Sequence, residues 1–392
     1  MRRLGPLLIE RDPVPSASWV LLVSVGAVVA ALIAAAGVFW AFGINPLTAY
    51  AAILTGTLNT RAAPEIFRQA VPLLLCGVGL IVAFRAQFWN IGAEGQLLMG
   101  AVGATAVALF APLPAPALIP TMLAAGFLCG ALWGVLPAVL RLRLDMNEVI
   151  TTLMMNYIAL FFVGWLIHGP WKGQESFGFA YTDTFPRAAW LPLIGGTRVN
   201  WIGLALGVML AGGLAFLLAR TRMGFEIRVL GQNAAAARYA GIDPLRTALG
   251  AMMISAGAAG LAGVSEVAGI HHKLLAPDQV SLGYGYAGII VAWLARGSPL
   301  AAILTAVFLG LIYSSGDVVK VSLQMPFRVT DIFNGLILMF LIGSERLLPY
   351  RLRWAAERPA GSQAGRDPMV PPRPDTPASR GDGPVRGQEG GR

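Results

Sequence analysis

Ten apolar stretches recur along the chain, at about residues 18–42, 70–84, 95–111, 115–140, 149–168, 201–219, 249–270, 286–294, 299–313 and 329–342, with short polar connections between most of them. Many approach the roughly 20 residues that a helix needs to cross a bilayer. The eighth is short and flanked by glycine, which predicts either a broken helix or one that begins within the preceding loop. In lipid every backbone polar group has to be satisfied internally, so a run of such stretches predicts helices. The expected fold is an all-α, polytopic membrane helix bundle of about ten transmembrane helices.

The first stretch follows Arg2, Arg3 and Arg11, the charge pattern of a secretory signal. Its length argues otherwise, since a signal core is roughly 7 to 15 residues and this run is long enough to span. The chain therefore divides into a cytosolic N-terminal segment (1–15), a transmembrane domain (16–348) and a tail (349–392) rich in Pro, Gly, Arg and Asp. The tail has too few apolar side chains to offset the entropy of ordering its backbone, and is expected to be disordered and cytosolic.

Composition fits this pattern, with 56% hydrophobic and 12% charged residues and a mean hydropathy of +0.67; soluble proteins average about 25% charged. The net charge of +9 does not call for nucleic acid, because nine of the 29 Lys and Arg residues follow Gly343 and most others flank apolar stretches. With the N-terminus inside, the inner connections carry Arg2, Arg3, Arg11, Arg85, Arg141, Arg143, Arg220, Arg222, Arg228, Arg238, Arg246, Arg296 and the arginines of 346–358. The outer ones carry only Arg61, Arg68, Lys172, Arg187, Arg198, Lys273, Lys320 and Arg328. That asymmetry places both termini in the cytoplasm. Cys76 and Cys129 lie inside apolar stretches and read as small core hydrophobes.

Gly126, Gly130 and Gly134 bare one helix face at four-residue spacing, and Gly257, Gly260 and Gly263 make a similar stripe, so close helix packing is expected at both. Polar residues within the apolar stretches carry more information, because an ionised side chain at mid-bilayer costs at least about 2.5–3.5 kcal/mol. Glu94 follows a glycine-broken helix entry that also holds Asn90 and precedes Gln96; Glu266 comes about a turn before His271 and His272; Asn147, Glu148 and Asn156 make a polar entry to the fifth stretch; Asp331 and Asn334 mark the tenth. A polar translocation path through Asn90, Glu94, Gln96, Asn147, Asn156 and Glu266 is one reading, and helix caps and interhelical hydrogen bonds are the other. His271 and His272 are adjacent, so in a strand or loop they diverge, and no third ligand stands at helical spacing for a metal. Neither a phosphate-cradling Gly-x-x-x-x-Gly-Lys-Ser/Thr loop nor a supported Ser/His/Asp set occurs, so no catalytic chemistry and no cofactor are expected.

An arginine-rich connection, 220–247, contains the helical phrase Asn233-Ala-Ala-Ala-Ala-Arg-Tyr-Ala-Gly241. Together with Phe88-Trp-Asn-Ile-Gly-Ala-Glu-Gly-Gln96 and Asn147-Glu-Val-Ile-Thr-Thr-Leu-Met-Met-Asn-Tyr-Ile158, it resembles the permease subunits of ATP-binding-cassette (ABC) importers of the branched-chain amino acid, ribose and nucleoside group, nearest the simple sugar and nucleoside branch. The likeness covers nearly all of 16–348. It implies a pair of permease subunits, as a homodimer or a heterodimer, with ATPase subunits on the cytosolic side and an extracytoplasmic solute-binding protein, in a bacterial inner membrane. In that light Asn233, Ala237, Arg238, Tyr239, Ala240 and Gly241 resemble the helix that couples the permease to its ATPase, with Tyr239 and Ala240 as apolar contacts and Arg238 as a charged one. Gly241 would close the helix in the left-handed conformation. Many relatives have Pro after the Asn, where this chain has Ala234, which leaves the helix start open.

Glycine breaks near 92–95 and 283–288 fall in corresponding places of two five-span halves, the pattern of an inverted repeat with its path between the halves. Docking charges for a binding protein would lie in the outer loop 170–200, at Lys172, Glu175 and Arg187. Two rivals stand beside the importer: a secondary transporter with Glu94 or Glu266 as its ion site, and a membrane scaffold that moves nothing.

Overall fold

A computed structural model describes residues 2–4, 7–11, 17–59, 62–174 and 178–325, and beyond these 332, 335–337, 339–340, 343–344 and 350–354. Most of the tenth apolar stretch with Asp331 and Asn334, the loop residue Glu175, and the tail from 355 onward lie outside the described residues. The chain forms two units, one of Ser16–Leu348 and one of the terminal stretches Met1–Pro15 and Pro349–Arg392. Within the terminal unit β1 (Arg2–Leu4) pairs antiparallel with β2 (Leu7–Arg11), and β2 with β3 (Tyr350–Trp354). These short strands are confined to the terminal unit, and β3 occupies the first residues of the segment read as tail.

The larger unit is helical. It comprises α1 (Ala17–Ala41), α2 (Pro46–Thr57), α3 (Ala63–Arg85), α4 (Ala93–Phe110), α5 (Ala115–Leu144), α6 (Glu148–His168), α7 (Trp201–Arg220), α8 (Arg222–Gln232), α9 (Ala234–Tyr239), α10 (Pro244–Glu266), α11 (Pro277–Ser281), α12 (Tyr284–Leu294) and α13 (Ala301–Ser322). A π-helical turn, Val267–His271, prolongs α10. Among the described residues seven helices are long and apolar enough to span, or eight if α1 and α2, bent by 113° at Gly43–Asn45, count as one. Among the described residues the count stops short of the expected figure of about ten spans.

The eighth stretch is broken, as its glycine flanks predict. Leu282 and Gly283 take φ of +44° and +75°, which turns the chain sharply between α11 and α12. The 11 residues of α12 rise about 16 Å, roughly half of a hydrocarbon core. Because the chain leaves α10 at one end of the bundle, beside the long loop, and leaves α12 at the other, where Gly297 meets Arg85, the stretch crosses the bundle as a broken helix, α11 then α12. Two other expectations change. Helix α3 begins at Ala63 rather than near residue 70, and this draws Arg68 out of the expected outer loop into a helix where it is 7% exposed beside its partner Glu65. His271 lies in the π-helical turn rather than in a strand or loop.

Glycines hold the centre together. The stripe on α5 faces the stripe on α10: a Cβ on Gly130 would sit 2.5 Å from the Ala256 carbonyl oxygen and 2.9 Å from Gly260 Cα. Gly100 of α4 closes on Gly260 from the other side. Three backbones meet there with no side chain between them, the close approach that small residues permit in lipid.

One end of the bundle is stapled by arginines. Arg85 donates to the Gly297 carbonyl from Nε (3.0 Å) and Nη2 (2.8 Å). Arg141 donates to the Gln87 carbonyl at 2.9 Å and meets Glu148 at 3.0 Å. Gly231 of α8 lies against the Arg85 carbonyl. Connections read as inner from charge alone, those at Arg85, Arg141, Arg228 and Arg296, belong to this end. The opposite end carries the long loop from Gly169 to Asn200, where Trp171 packs on Phe110 of α4 and Leu191 bonds to the π-helical turn.

Candidate functional site

The break between α3 and α4 leaves the backbone of 89–92 without helical partners, and side chains from neighbouring helices supply them. Asn156 of α6 donates to the Ile91 carbonyl (2.9 Å) and accepts from Gly95 N–H (2.8 Å), while the Thr152 hydroxyl accepts from Ile91 N–H (3.2 Å). Asn90 and Gln96 form a reciprocal amide pair at 2.9 and 3.0 Å, and Asn90 also donates to Ser255 of α10 at 3.0 Å. Both amides are buried and spent on each other. Asn147 caps α6 by accepting from Val149 N–H (2.9 Å) and Ile150 N–H (3.3 Å). Of the six residues assigned to a path, Asn90, Gln96, Asn147 and Asn156 all take part in building the frame.

Glu94 lies where the two glycine breaks meet. Gly285 has no room for a side chain because the Glu94 backbone lies against its Cα. The Glu94 carboxylate accepts from Gly285 N–H at 2.8 Å, and it also hydrogen-bonds the Ser281 hydroxyl and the backbone of Gly283 and Tyr286. A carboxylate at the first turn of α12 satisfies amides that no intrahelical carbonyl reaches and complements the helix dipole. This explains how an acidic side chain is tolerated at that depth.

Beside that contact is a half-open cavity of about 510 Å³ lined by Glu94 and Leu98 of α4, Asn156, Tyr157 and Leu160 of α6, Asp278 and Ser281 of α11, Leu282 and Gly283 of the turn, and Tyr286 of α12. The Asn156 amide donates to the Tyr286 hydroxyl at 3.2 Å. Polar groups thus converge on one wall and two tyrosines flank it, the make-up of a small-molecule site. Glu94 and Asn156 are the assigned path residues that reach the cavity. Tyr157, Asp278, Ser281 and Tyr286 were missed; the phrase Gly283-Tyr-Gly-Tyr-Ala287, polar and glycine-rich at the head of an apolar stretch, was the signal for Tyr286.

At the arginine end α8 and α9 form an elbow. The Asn233 side chain accepts from Ala235 N–H (2.9 Å) and Ala236 N–H (3.1 Å), so α9 starts at Ala234 although proline is absent. Gly241 has φ +74°, and Ile242 N–H returns to the Ala237 carbonyl at 2.9 Å, which closes the helix. Ala237 is buried and anchors α9, Arg238 and Ala240 are exposed, and Tyr239 is 98% exposed. Helix α8 falls in what reads as a plain arginine-rich connection, and its buried Gly224 and Ile227 seat it on the bundle.

Glu266 lies apart from the cavity, near the loop end. It is 1% exposed, and its carboxylate is 3.8 Å from His271 Nε2. Nearby, Gln69 donates to Asp317 at 2.9 Å and accepts from the Tyr284 hydroxyl, and Arg68 pairs with Glu65. This buried polar group links α3, α12 and α13.

A polytopic helical bundle with a broken helix, a half-open cavity with polar groups in its wall and an exposed elbow is the build of a membrane permease. The chain belongs to the family described as branched-chain amino acid transport system / permease component, which it matches over residues 62–342. It is similar to the glucose ABC transporter permease protein TsgB13 of Haloferax volcanii, 33% identical over 84% of this chain and 89% of that one. It is also similar to the guanosine ABC transporter permease protein NupP of Bacillus subtilis (31%, 83% and 93%) and the nucleoside ABC transporter permease protein NupB of Lactococcus lactis (30%, 82% and 90%). The chain is a multi-pass permease component of an ABC importer, a transport part of a larger assembly, and the ion-driven alternative is not favoured.

Proposed function

We propose that the chain forms one half of the path by which a nucleoside, or else a simple sugar, crosses a bacterial inner membrane, with both termini in the cytoplasm. The observation that carries this reading is the half-open cavity between α4, α6, α11 and α12. Its tyrosines offer faces for a planar base or a sugar ring, and Glu94, Asn156, Ser281 and Tyr286 offer hydrogen-bonding groups for hydroxyls. Relatives named for guanosine, nucleosides and glucose support this class of solute. The open side of the cavity is completed by a second permease subunit, of the same or a different chain.

The α8–α9 elbow is where the ATPase docks, with Tyr239 as the apolar contact, Arg238 as the charged one and the buried Ala237 as the root of the lever. ATP-driven closure of the ATPases moves the elbow, and the bundle exchanges access because each state makes different contacts there. The binding protein delivers solute to the loop around Lys172 and Arg187. An inverted repeat is supported by the meeting of the two glycine breaks at Glu94 and Gly285.

The test is ATP-dependent uptake into proteoliposomes that hold this chain with its partner subunits, using radiolabelled guanosine and glucose. Saturable guanosine uptake that needs ATP and competes with other nucleosides is the expected result. Uptake that persists without ATP and collapses with an ion gradient would overturn it.

A further inference from the structure

The head of α12 is fastened by a chain of hydrogen bonds whose members stand apart from the cavity lining. Gln69 of α3 donates from Nε2 to Asp317 of α13 at 2.9 Å, and its amide oxygen accepts from the Tyr284 hydroxyl. The polarity of the chain is set by its far end. A carboxylate oxygen accepts, so the Gln69 nitrogen faces Asp317, its oxygen faces Tyr284, and the tyrosine hydroxyl must donate. Gln69 is 3% exposed and Tyr284 is fully buried. The Tyr284 ring also meets Tyr313 of α13, centroids 5.8 Å apart.

Little else fixes how the head of α12 is turned about its axis. Gly283 and Gly285 flank Tyr284 and give the backbone there the most freedom of any residue type. Further along, α12 rests on α3 through bare surfaces: a Cβ on Gly288 would lie 2.7 Å from Cys76 Cβ, and one on Gly77 would lie 2.5 Å from Val291 Cγ1. Bare surfaces let helices approach closely, but they offer no interlocking side chain to resist rotation. Residues two apart on a helix lie about 200° around its axis. Tyr284 is accordingly buried in the bundle, while Tyr286 lines the cavity, where its hydroxyl meets the Asn156 amide at 3.2 Å. A rotation that frees Tyr284 from Gln69 carries the Tyr286 ring off the cavity wall.

We propose that Gln69 and Tyr284 are positioning residues for the solute: the Tyr284–Gln69–Asp317 chain sets the rotation of α12 and thereby the place of the Tyr286 ring. The proposal rests on the cavity being the solute's path. Neither residue lines that cavity, so their influence on the solute passes through Tyr286.

ATP-dependent guanosine uptake by proteoliposomes holding the whole transporter tests this. Y284F removes one hydroxyl and keeps the ring and its packing; Q69L removes the amide. In each the guanosine concentration for half-maximal uptake rises about two- to tenfold, the worth of one hydrogen bond, while the maximal rate and the affinity for the ATPase hold. Y284F carries the test even where Q69L fails to assemble. D317L gives the same rise, and D317N does not, because the asparagine oxygen accepts the same bond. The double variant Y284F/Y286A is no worse than Y286A alone, whereas independent effects would multiply. Multiplied effects, a D317N variant as impaired as D317L, or a Y284F variant that matches wild type while Y286A is impaired would overturn the proposal and leave the cavity reading standing. A Y286A variant that matches wild type would remove the cavity reading, and the proposal with it.

Discussion

The α5–α10 contact and the α9 elbow are both made of the smallest side chains, and they use them to opposite ends. On α5 and α10, Gly126, Gly130 and Gly134 meet Ala256 and Gly260 so closely that backbone touches backbone. On α9, Ala234 to Ala236 face outward, only Ala237 packs inward, and the small surroundings leave Tyr239 standing free. Small residues in the first place remove every obstacle between helices; in the second they leave one obstacle for a partner to grip. A stripe of glycine or alanine therefore has no meaning until its neighbours are known.

The two regions are separable by substitution. Gly260→Leu strikes the first and has the largest expected effect, since its side chain must enter the Gly126 backbone; overpacking costs about 3 kcal/mol even where neighbours can shift. The expected outcome is loss of monodisperse protein in size-exclusion chromatography, and a normal profile would show that the helices part freely. Tyr239→Ala strikes the second. Because Tyr239 is 98% exposed, melting of the isolated chain stays within about 0.5 kcal/mol, while loss of an aromatic anchor costs about 2 kcal/mol, roughly thirtyfold, in affinity for the ATPase.

Tyr286→Ala sharpens the comparison from the cavity side. It removes a ring whose stacking contributes about 0.5–1.5 kcal/mol, so the concentration of guanosine giving half-maximal uptake rises about two- to tenfold while ATPase affinity holds. Asn233→Ala is the mildest: loss of one cap costs about 1 kcal/mol, read as faster exchange confined to 234–239 with global melting unchanged.

Much of this was legible from residue types. Gly241 is a stop signal that acts locally, so the end of α9 followed from the phrase itself, while its start stayed open until the Asn233 cap was seen. The two glycine stripes announced close packing, although their facing one another is a tertiary fact. What stayed hidden depended on partners far along the chain. Arg68 reads as a topogenic loop charge until Glu65 pairs with it within an extended α3, and Gln69 shows no role until Asp317 and Tyr284 reach it. Asn90, Gln96 and Asn147 have the same polar character as Glu94 and Asn156, and only the hydrogen-bond partners separate frame from cavity. The glycines around the eighth stretch announced a break, and the turn at Leu282–Gly283 shows where α11 ends and α12 begins.

The most direct measurement is a mild-detergent purification of this chain from its native host, followed by identification of what comes with it and by uptake in vesicles made from the isolate. The account predicts an ABC-type ATPase in the wild-type isolate, its loss with Tyr239→Ala, and uptake that stops without ATP. A chain that emerges free of any ATPase and still drives uptake in vesicles lacking ATP would contradict it.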